Sequence, residues 1–198
     1  MSAEQARNAG HLRAEGSPAP ASPAEESAVT IRRLRPSDSI LELTALLHRA
    51  YAKQTAIGLH ALASHQSPEV TRKRVSKGEC FVAELDGRIV GTIMFQEPSW
   101  GGGGGAPESG PRWFRRPDVG NFSQFAVEPT LQSRGIGRML MDRIEERARE
   151  LKMQELALST AEPDTELVAY YRRRGYREIE RFDWGVTNYT SVIMSKAL

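Results

Sequence analysis

A short loop with two glycines is the stretch of this sequence best suited to chemistry. Residues 132–137 include Gly135 and Gly137 and lie between an apolar strand that ends at Val127 and a predicted helix whose apolar face begins at Ile136. The first amides of a helix have no acceptor within the helix and lie at the positive end of its dipole. Glycine also permits a close approach of another group. The loop is therefore predicted to bind phosphate, above all a pyrophosphate.

Two common phosphate-binding motifs do not fit this loop. The Walker motif needs Lys followed by Ser or Thr after its second glycine, but Arg138 and Met139 follow Gly137 here. The dinucleotide-binding motif needs a third glycine three residues later, where this chain has Leu140. A tight turn that caps a core helix is the plain structural alternative.

A second candidate is the pair Tyr170 and Tyr171, which lies shortly before Gly175. The pair falls near the end of a helix that the sequence predicts to begin at Pro163 and Asp164, and Gly175 is typical of a helix stop. On its own, this pattern equally describes a core aromatic residue followed by a helix-ending glycine.

Length and composition predict one soluble domain. The chain has 198 residues, 39% hydrophobic and 26% charged, with a formal net charge of +2. Such a small charge gives no general attraction to nucleic acid or membrane. The lone cysteine, Cys80, excludes an internal disulfide, and its position at a strand start favours a buried side chain over a nucleophile. No histidine has a second metal-type residue at ligand spacing, so no metal site is expected, and a cytoplasmic protein is the default.

Two segments differ from the rest in composition. Residues 1–28 are rich in Pro, Ala, Ser and Glu, and they are predicted to be a disordered tail before a single domain at 29–198. Residues 98–117 include five consecutive glycines, Gly101–Gly105, and are interpreted as a long loop insertion. Both a mobile cover over a substrate site and a bare insertion fit this loop.

Hydrophobic periodicity and turn residues predict the element order β-α-α-β-β-β-α-β-α-β-β. Ser37 or Asp38 is the expected cap of the first helix, and the basic residues Arg72–Arg74 of the second are expected to face solvent. Asp86 and Gly87 predict a type I′ hairpin. Strands are predicted at 29–34, 81–85, 88–95, 119–127, 154–160, 176–184 and 189–194. A mixed sheet with helices on both faces follows from this order.

Two motifs resemble those of the GCN5-related N-acetyltransferase (GNAT) superfamily. Gln132, Gly135 and Gly137 match the family's Gln/Arg-x-x-Gly-x-Gly/Ala at the usual distance after Val127-Glu128-Pro129. Residues 171–176 match its Tyr-x-x-x-Gly-Phe/Tyr. The resemblance covers residues 29–198 and implies an α/β (α+β) fold, with a mostly antiparallel sheet, a splayed parallel pair of strands, and helices on both faces.

The resemblance also implies an activity. It is transfer of an acetyl group from acetyl-CoA, as cosubstrate, to a primary amine by direct attack in a ternary complex, without a metal. Tyr171 matches the family's general acid, which protonates the departing thiolate. The residues expected to bind acetyl-CoA are Phe125, Ala126, Val127, Gln132, Ser133, Arg134, Gly135, Ile136, Gly137, Arg138, Asp164 and Tyr171.

The general base and the acceptor stay open at this stage. Asn121 stands where some relatives have Glu, Gln124 could orient an amine or a water, and Glu128 is close but of uncertain direction. His60 and His65 fall in the region that forms one wall of the acceptor site in the family, although surface positions are favoured for both.

A small-molecule amine or amino acid is the leading acceptor. A protein or peptide amine, a non-catalytic acyl-CoA sensor and a homodimer are left open, without nucleic-acid or membrane partners.

Overall fold

The computed structural model describes residues 28–98 and 110–198, and residues 1–27 of the predicted tail and the run Gly101–Gly105 lie outside these ranges. The element order is the predicted one. The strands are β1 (Thr30–Arg33), β2 (Glu79–Leu85), β3 (Arg88–Gln96), β4 (Val119–Val127), β5 (Glu155–Ala161), β6 (Arg177–Phe182) and β7 (Ser191–Ala197). The helices are α1 (Ile40–Ala56), α2 (Pro68–Val75), α3 (Ile136–Glu150) and α4 (Thr165–Arg173), with short 3-10 turns at Leu62–Ser64, Trp113–Arg115 and Pro129–Leu131.

The strands form one seven-stranded sheet in the order β1-β2-β3-β4-β5-β7-β6. Neighbouring strands are antiparallel except for β4 and β5, which are parallel. The turn between β2 and β3 has positive φ at both central residues, 51° at Asp86 and 73° at Gly87, as a type I′ hairpin requires. The mixed, mostly antiparallel sheet with one parallel pair is the predicted fold class.

Helices cover both faces of the sheet because successive side chains of a strand point to opposite sides. On one face, Leu43 of α1 packs with Val82 and Met94. On the other face, the apolar side of α3 packs with Phe81 and Ile93. None of the described helices is long and apolar enough to cross a membrane.

Leu140 of α3 packs very closely on β3 at Gly91. A Cβ atom at position 91 would lie 2.9 Å from Leu140 Cδ1 and 3.2 Å from Ala126 O. Real Cβ contacts are longer than the first of these distances, so a side chain at this position would force the Leu140 side chain to move. The close contact of Leu140 with β3 therefore depends on a glycine.

The parallel pairing of β4 and β5 stops halfway along the strands. It joins Val119–Phe122 to Glu155–Leu158, whereas β5 continues beside β7 as far as Ala161. The register of β3 against β4 shifts between Thr92 and Met94, and Gln124 on the opposite strand has φ of +52°. This is the signature of a β-bulge, which bends a strand away from its neighbour. The bulge at Gln124 therefore accounts for the separation of β4 from β5.

Several expected boundaries were wrong, among them the start of α1. Ser39, rather than Ser37 or Asp38, caps α1 by accepting from Glu42 N. Asp38 accepts instead from Arg32 and from Arg35 N, and its hydrogen bond with Arg32 holds its pKa below the usual value.

The last strand begins at Ser191 rather than Tyr189. Asn188, just before this strand, makes two hydrogen bonds to the loop after α1. Its Nδ2 donates to Gly58 O at 2.7 Å, and its Oδ1 accepts from His60 N at 2.9 Å. Asn188 thus connects the loop before β7 to the loop after α1.

Three aromatic rings form a buried cluster where α4 meets the sheet. The ring centroids of Phe122 and Tyr171, and of Phe122 and Tyr176, are 6.0 Å apart, and those of Tyr171 and Tyr176 are 5.8 Å apart. Burial raises the pKa of both Tyr171 and Tyr176 well above the ordinary value of 10.0. The two phenols therefore stay protonated in the folded protein at pH values where they ionise in the unfolded chain.

This cluster predicts a loss of stability in alkali. Above about pH 10, the native state holds more protons than the unfolded state, so the free energy of unfolding falls as pH rises. Each such phenol contributes a slope of up to about 1.4 kcal/mol per pH unit. Urea unfolding of the wild type and Tyr176→Phe between pH 8 and 11 measures this. We expect a shallower slope in the variant above pH 10, and equal slopes would contradict the assignment.

Candidate active site

A cavity of about 1570 Å³ occupies the gap between β4 and β5. Its walls come from both helical layers, with Tyr51 and Gln54 of α1 on one side and Tyr170 and Tyr171 of α4 on the other. Such a volume is large enough to hold two small ligands side by side. The cavity therefore passes through the sheet where the two parallel strands separate.

One end of the cavity is built from backbone amides. The N–H groups of residues 133–138 donate to no acceptor among residues 28–98 and 110–198. Ser133 and Gly135 have φ of +64° and +84°, and Gly135 caps α3. A Cβ atom at Gly135 would find nothing within 4 Å, whereas one at Gly137 would lie 3.2 Å from Phe125 Cζ. Open space above a row of free amides at a helix N-terminus fits a phosphate ligand.

The middle of the cavity has a further free amide, that of Val127. The N–H and C=O of one strand residue point to the same side, and those of the next residue point to the other. Glu128 N donates to Val90 O of β3 at 2.8 Å, so Val127 faces away from β3. Its carbonyl accepts from Gln132 Nε2 at 3.4 Å. The Val127 N–H is therefore directed into the gap.

Tyr171 lines the cavity next to this gap. Its side chain is buried, and its hydroxyl makes no hydrogen bond to any residue that the structure describes. Because burial raises its pKa, the phenol keeps its proton at neutral pH. A proton donor facing the gap is thus available. The neighbouring Tyr170 instead stacks on Phe125 at 6.3 Å between centroids, which agrees with a packing role.

Asp164 lies in the cavity wall but is already engaged. Its Oδ1 accepts from Leu167 N at 3.1 Å, which caps α4, and its Oδ2 accepts from Gln54 Nε2 at 3.2 Å. The carboxylate connects α4 to α1 across the gap. Its predicted contact with acetyl-CoA stays a prediction.

The structure brings most of the predicted site residues to one cavity. Ten of the twelve line it, namely Phe125, Ala126, Val127, Gln132, Ser133, Gly135, Gly137, Arg138, Asp164 and Tyr171. Arg134 and Ile136 do not line it, because the side chain of Ile136 is in the core and that of Arg134 is exposed.

The candidate residues for the general base differ in whether they line the cavity. Glu128 forms an ion pair with Arg49 at 2.7 Å and is not in the cavity wall. His60 and His65 are exposed, as favoured from the sequence, and neither lines the cavity. Asn121 and Gln124 do line it, but neither amide accepts a proton at neutral pH.

Sequence reasoning missed the residues at the other end of the cavity, above all Arg74. Arg72 and Lys73 are exposed as expected, but Arg74 was wrongly assigned to the same solvent face and lines the cavity instead. The spacing along the helix could have shown this. Arg74 follows the fully buried Thr71 by three residues and so lies on the same face of α2. Tyr51 and Trp184 also line the cavity.

Comparison with known proteins identifies the class. The model of the Acetyltransferase (GNAT) family matches residues 43–176. A curated relative, S-(2-succino)cysteine N-acetyltransferase from Bacillus subtilis (strain 168), is 33% identical over 166 residues, or 83% of this chain and 92% of the relative.

Solved structures share the fold. A protein from Pyrococcus horikoshii OT3 has a TM-score of 0.66 and 19% identity, over 86% of this chain and 99% of that one. A GNAT family acetyltransferase from Elizabethkingia anophelis, solved with acetyl-CoA bound, has a TM-score of 0.60 and 16% identity, over 86% of this chain and 98% of that one.

Fold, cavity and relatives together define an acyltransferase. The chain belongs to the GNAT acetyltransferase family.

The amide-lined end predicts the effect of Gly135→Glu. The new carboxylate would fill the open space above residues 133–138 and repel a pyrophosphate. We expect coenzyme A to bind at least ~100-fold more weakly, because like charges at a binding surface cost several kcal/mol. Isothermal titration calorimetry with coenzyme A measures this.

The matched control is Gly87→Glu. Gly87 also has a positive φ, 73°, and open space around its missing Cβ, but it lies in the β2–β3 turn. It reproduces the backbone strain of the Gly135 variant without a charge at the cavity. Equal affinity of both variants for coenzyme A would show that residues 133–138 do not hold the pyrophosphate.

Proposed function

We propose that the protein transfers an acetyl group from acetyl-CoA to the primary amine of a small molecule of the amino-acid type. The observation that carries this is the cavity itself, which has free amides at one end, an unpaired phenol at the gap and space for a second ligand beyond. A curated N-acetyltransferase at 33% identity, whose name gives a substituted cysteine as its acceptor, supports the choice of acceptor class.

The amides of residues 133–138 would hold the pyrophosphate of acetyl-CoA. The pantetheine arm would run into the gap, where β4 lacks β5 as a partner and offers its backbone as it would to an added strand. The thioester carbonyl would then lie near the Val127 N–H, which would stabilise the negative charge that develops on its oxygen.

The amine nitrogen attacks the thioester carbon, and the carbon–sulfur bond breaks. Tyr171 donates its proton to the departing thiolate. The amine must also lose a proton. Of the three carboxylates in the described cavity wall, Asp164 caps α4, Glu79 pairs with Arg33 and Arg147, and Glu97 lies after β3, beyond the pairing of Gln96 with Asn121 and away from Val127. None of the three is therefore an unpaired base at the gap. Ordered water in contact with Asn121 and Gln124 is our proposed route, or the amine binds already neutral. Direct attack needs no covalent enzyme intermediate, because both substrates are held together.

Tyr171→Phe tests the acid. We expect kcat to fall ~100-fold, the lower range for general acid catalysis, with an unchanged dissociation constant for acetyl-CoA. Thiol release from acetyl-CoA under saturating acceptor gives kcat, and calorimetry gives the affinity.

Tyr170→Phe is the matched control for Tyr171→Phe. The ring of Tyr170 packs on Phe125, and we assign its hydroxyl no role at the gap. Full activity in Tyr171→Phe would overturn the assignment. Equal losses in both variants would mean that the loss comes from packing.

The function itself is tested by thiol release across a panel of acceptors. The panel holds amino acids, S-substituted cysteines including S-(2-succino)cysteine, polyamines, aminoglycosides and short peptides. Turnover confined to the amino acids and substituted cysteines is the expected result. Turnover with peptides alone would favour a protein N-acetyltransferase, and binding of acetyl-CoA without any turnover would favour a sensor.

A further inference from the structure

Arg74 is a cation in the acceptor end of the cavity that no carboxylate of the described residues neutralises. Its guanidinium lines the cavity and is half-buried. Among residues 28–98 and 110–198 it forms no ion pair, and its one side-chain hydrogen bond is from Nη1 to Gln66 Oε1 at 2.5 Å. A guanidinium has five N–H donors, so most of them are left for a ligand. Burying such a cation without an anion is costly.

A buried network holds Arg74 in place. The Nε2 group of Gln66 donates to Thr71 Oγ1 at 2.8 Å and to Gln124 Oε1 at 3.0 Å. Thr44 Oγ1 lies 2.8 Å from Thr71 Oγ1. Because both donors of Gln66 are used, its Oε1 is fixed as the acceptor for Arg74. Gln66 is 2% exposed and Thr71 is 0% exposed, so water does not compete for these bonds.

The other titratable groups in the described cavity wall do not supply the missing negative charge. Glu79 pairs with Arg33 and Arg147, and neither Glu97 nor Asp164 forms an ion pair with Arg74. Burial raises the pKa of Tyr51 to about 12 despite the opposite effect of Arg74, and burial also raises the pKa of Tyr189. Both phenols are therefore neutral hydrogen-bonding groups near neutral pH. Burial lowers the pKa of Arg74, but an arginine guanidinium keeps its charge in proteins.

We propose that Arg74 binds a carboxylate of the acceptor, and that the acceptor is therefore an amine that carries at least one carboxylate. Guanidinium and carboxylate form paired, charge-assisted hydrogen bonds with defined geometry. The contact would orient the acceptor so that its amine points to the gap at Val127. This inference rests on the proposed function, because it takes the Arg74 end of the cavity as the acceptor site.

Three probes that share one amine scaffold test the carboxylate requirement. They are S-(2-succino)cysteine, S-ethylcysteine, which lacks the succinyl carboxylates, and S-(2-succino)cysteamine, which lacks the α-carboxylate. We measure KM and kcat for each probe, and calorimetric binding of each to the protein saturated with coenzyme A.

The variants are Arg74→Met, Arg74→Lys and the control Arg72→Met, which removes an exposed cation from the same helix. We expect Arg74→Met to weaken binding and raise KM at least ~30-fold for the probes that keep the recognised carboxylate. The probe that lacks the carboxylate recognised by Arg74 should bind the wild type and Arg74→Met with equal affinity. Arg74→Lys should restore part of the affinity, because it keeps the charge and loses the paired geometry. Arg72→Met should match the wild type.

Several outcomes separate this inference from the proposed function. Equal losses for all three probes in Arg74→Met, or binding of no carboxylated probe by the wild type, would overturn the carboxylate subsite. Carboxylate-dependent binding that is lost in Arg74→Met, without thiol release by the wild type, would support the subsite and refute the proposed function. Melting temperatures and an unchanged affinity of Arg74→Met for coenzyme A show that the variant is folded.

Discussion

The structure depends on one break in hydrogen bonding, the point where β4 leaves β5 after Phe122. A continuous parallel pair would close the sheet, and α1 and α4 would then lie on separate faces without a shared space. The bulge at Gln124 bends β4, while β5 stays paired with β7. The gap lets residues from both helical layers meet in one cavity, and it leaves the Val127 amide free for a ligand.

Gln124 connects the two halves of the site. Its backbone, at φ of +52°, forms part of the bulge that opens the sheet. Its side chain accepts from Gln66, which in turn accepts from Arg74. One buried residue thus ties the position of the Val127 amide on β4 to the position of the Arg74 guanidinium on α2. A change at Gln124 would disturb both ends of the cavity together.

Much of this arrangement could be predicted from the sequence because its signals are local. The hairpin at Asp86–Gly87, the helix after Gly135 and the stop at Gly175 each follow from a few neighbouring residues. Arg74 could not be assigned in this way, since its direction depends on how α2 packs on α1. Asp38 was misread for a similar reason, because its partner Arg32 comes from a strand rather than from the helix.

Gly91 lies in the middle of the sheet, directly opposite Val127 on β4, and the close packing of α3 at this point bears on a length. A ligand that joins a pyrophosphate to a thioester through a chain of fixed size must meet two sets of amides at one separation. The first set lies at the start of α3 and the second on β4. Their separation depends on how closely α3 packs on the sheet, and at Gly91 there is room for a hydrogen atom but not for a methyl group. In the proposed function, the close contact of Leu140 at Gly91 would therefore help to set the distance between the two ends of the acetyl-CoA site.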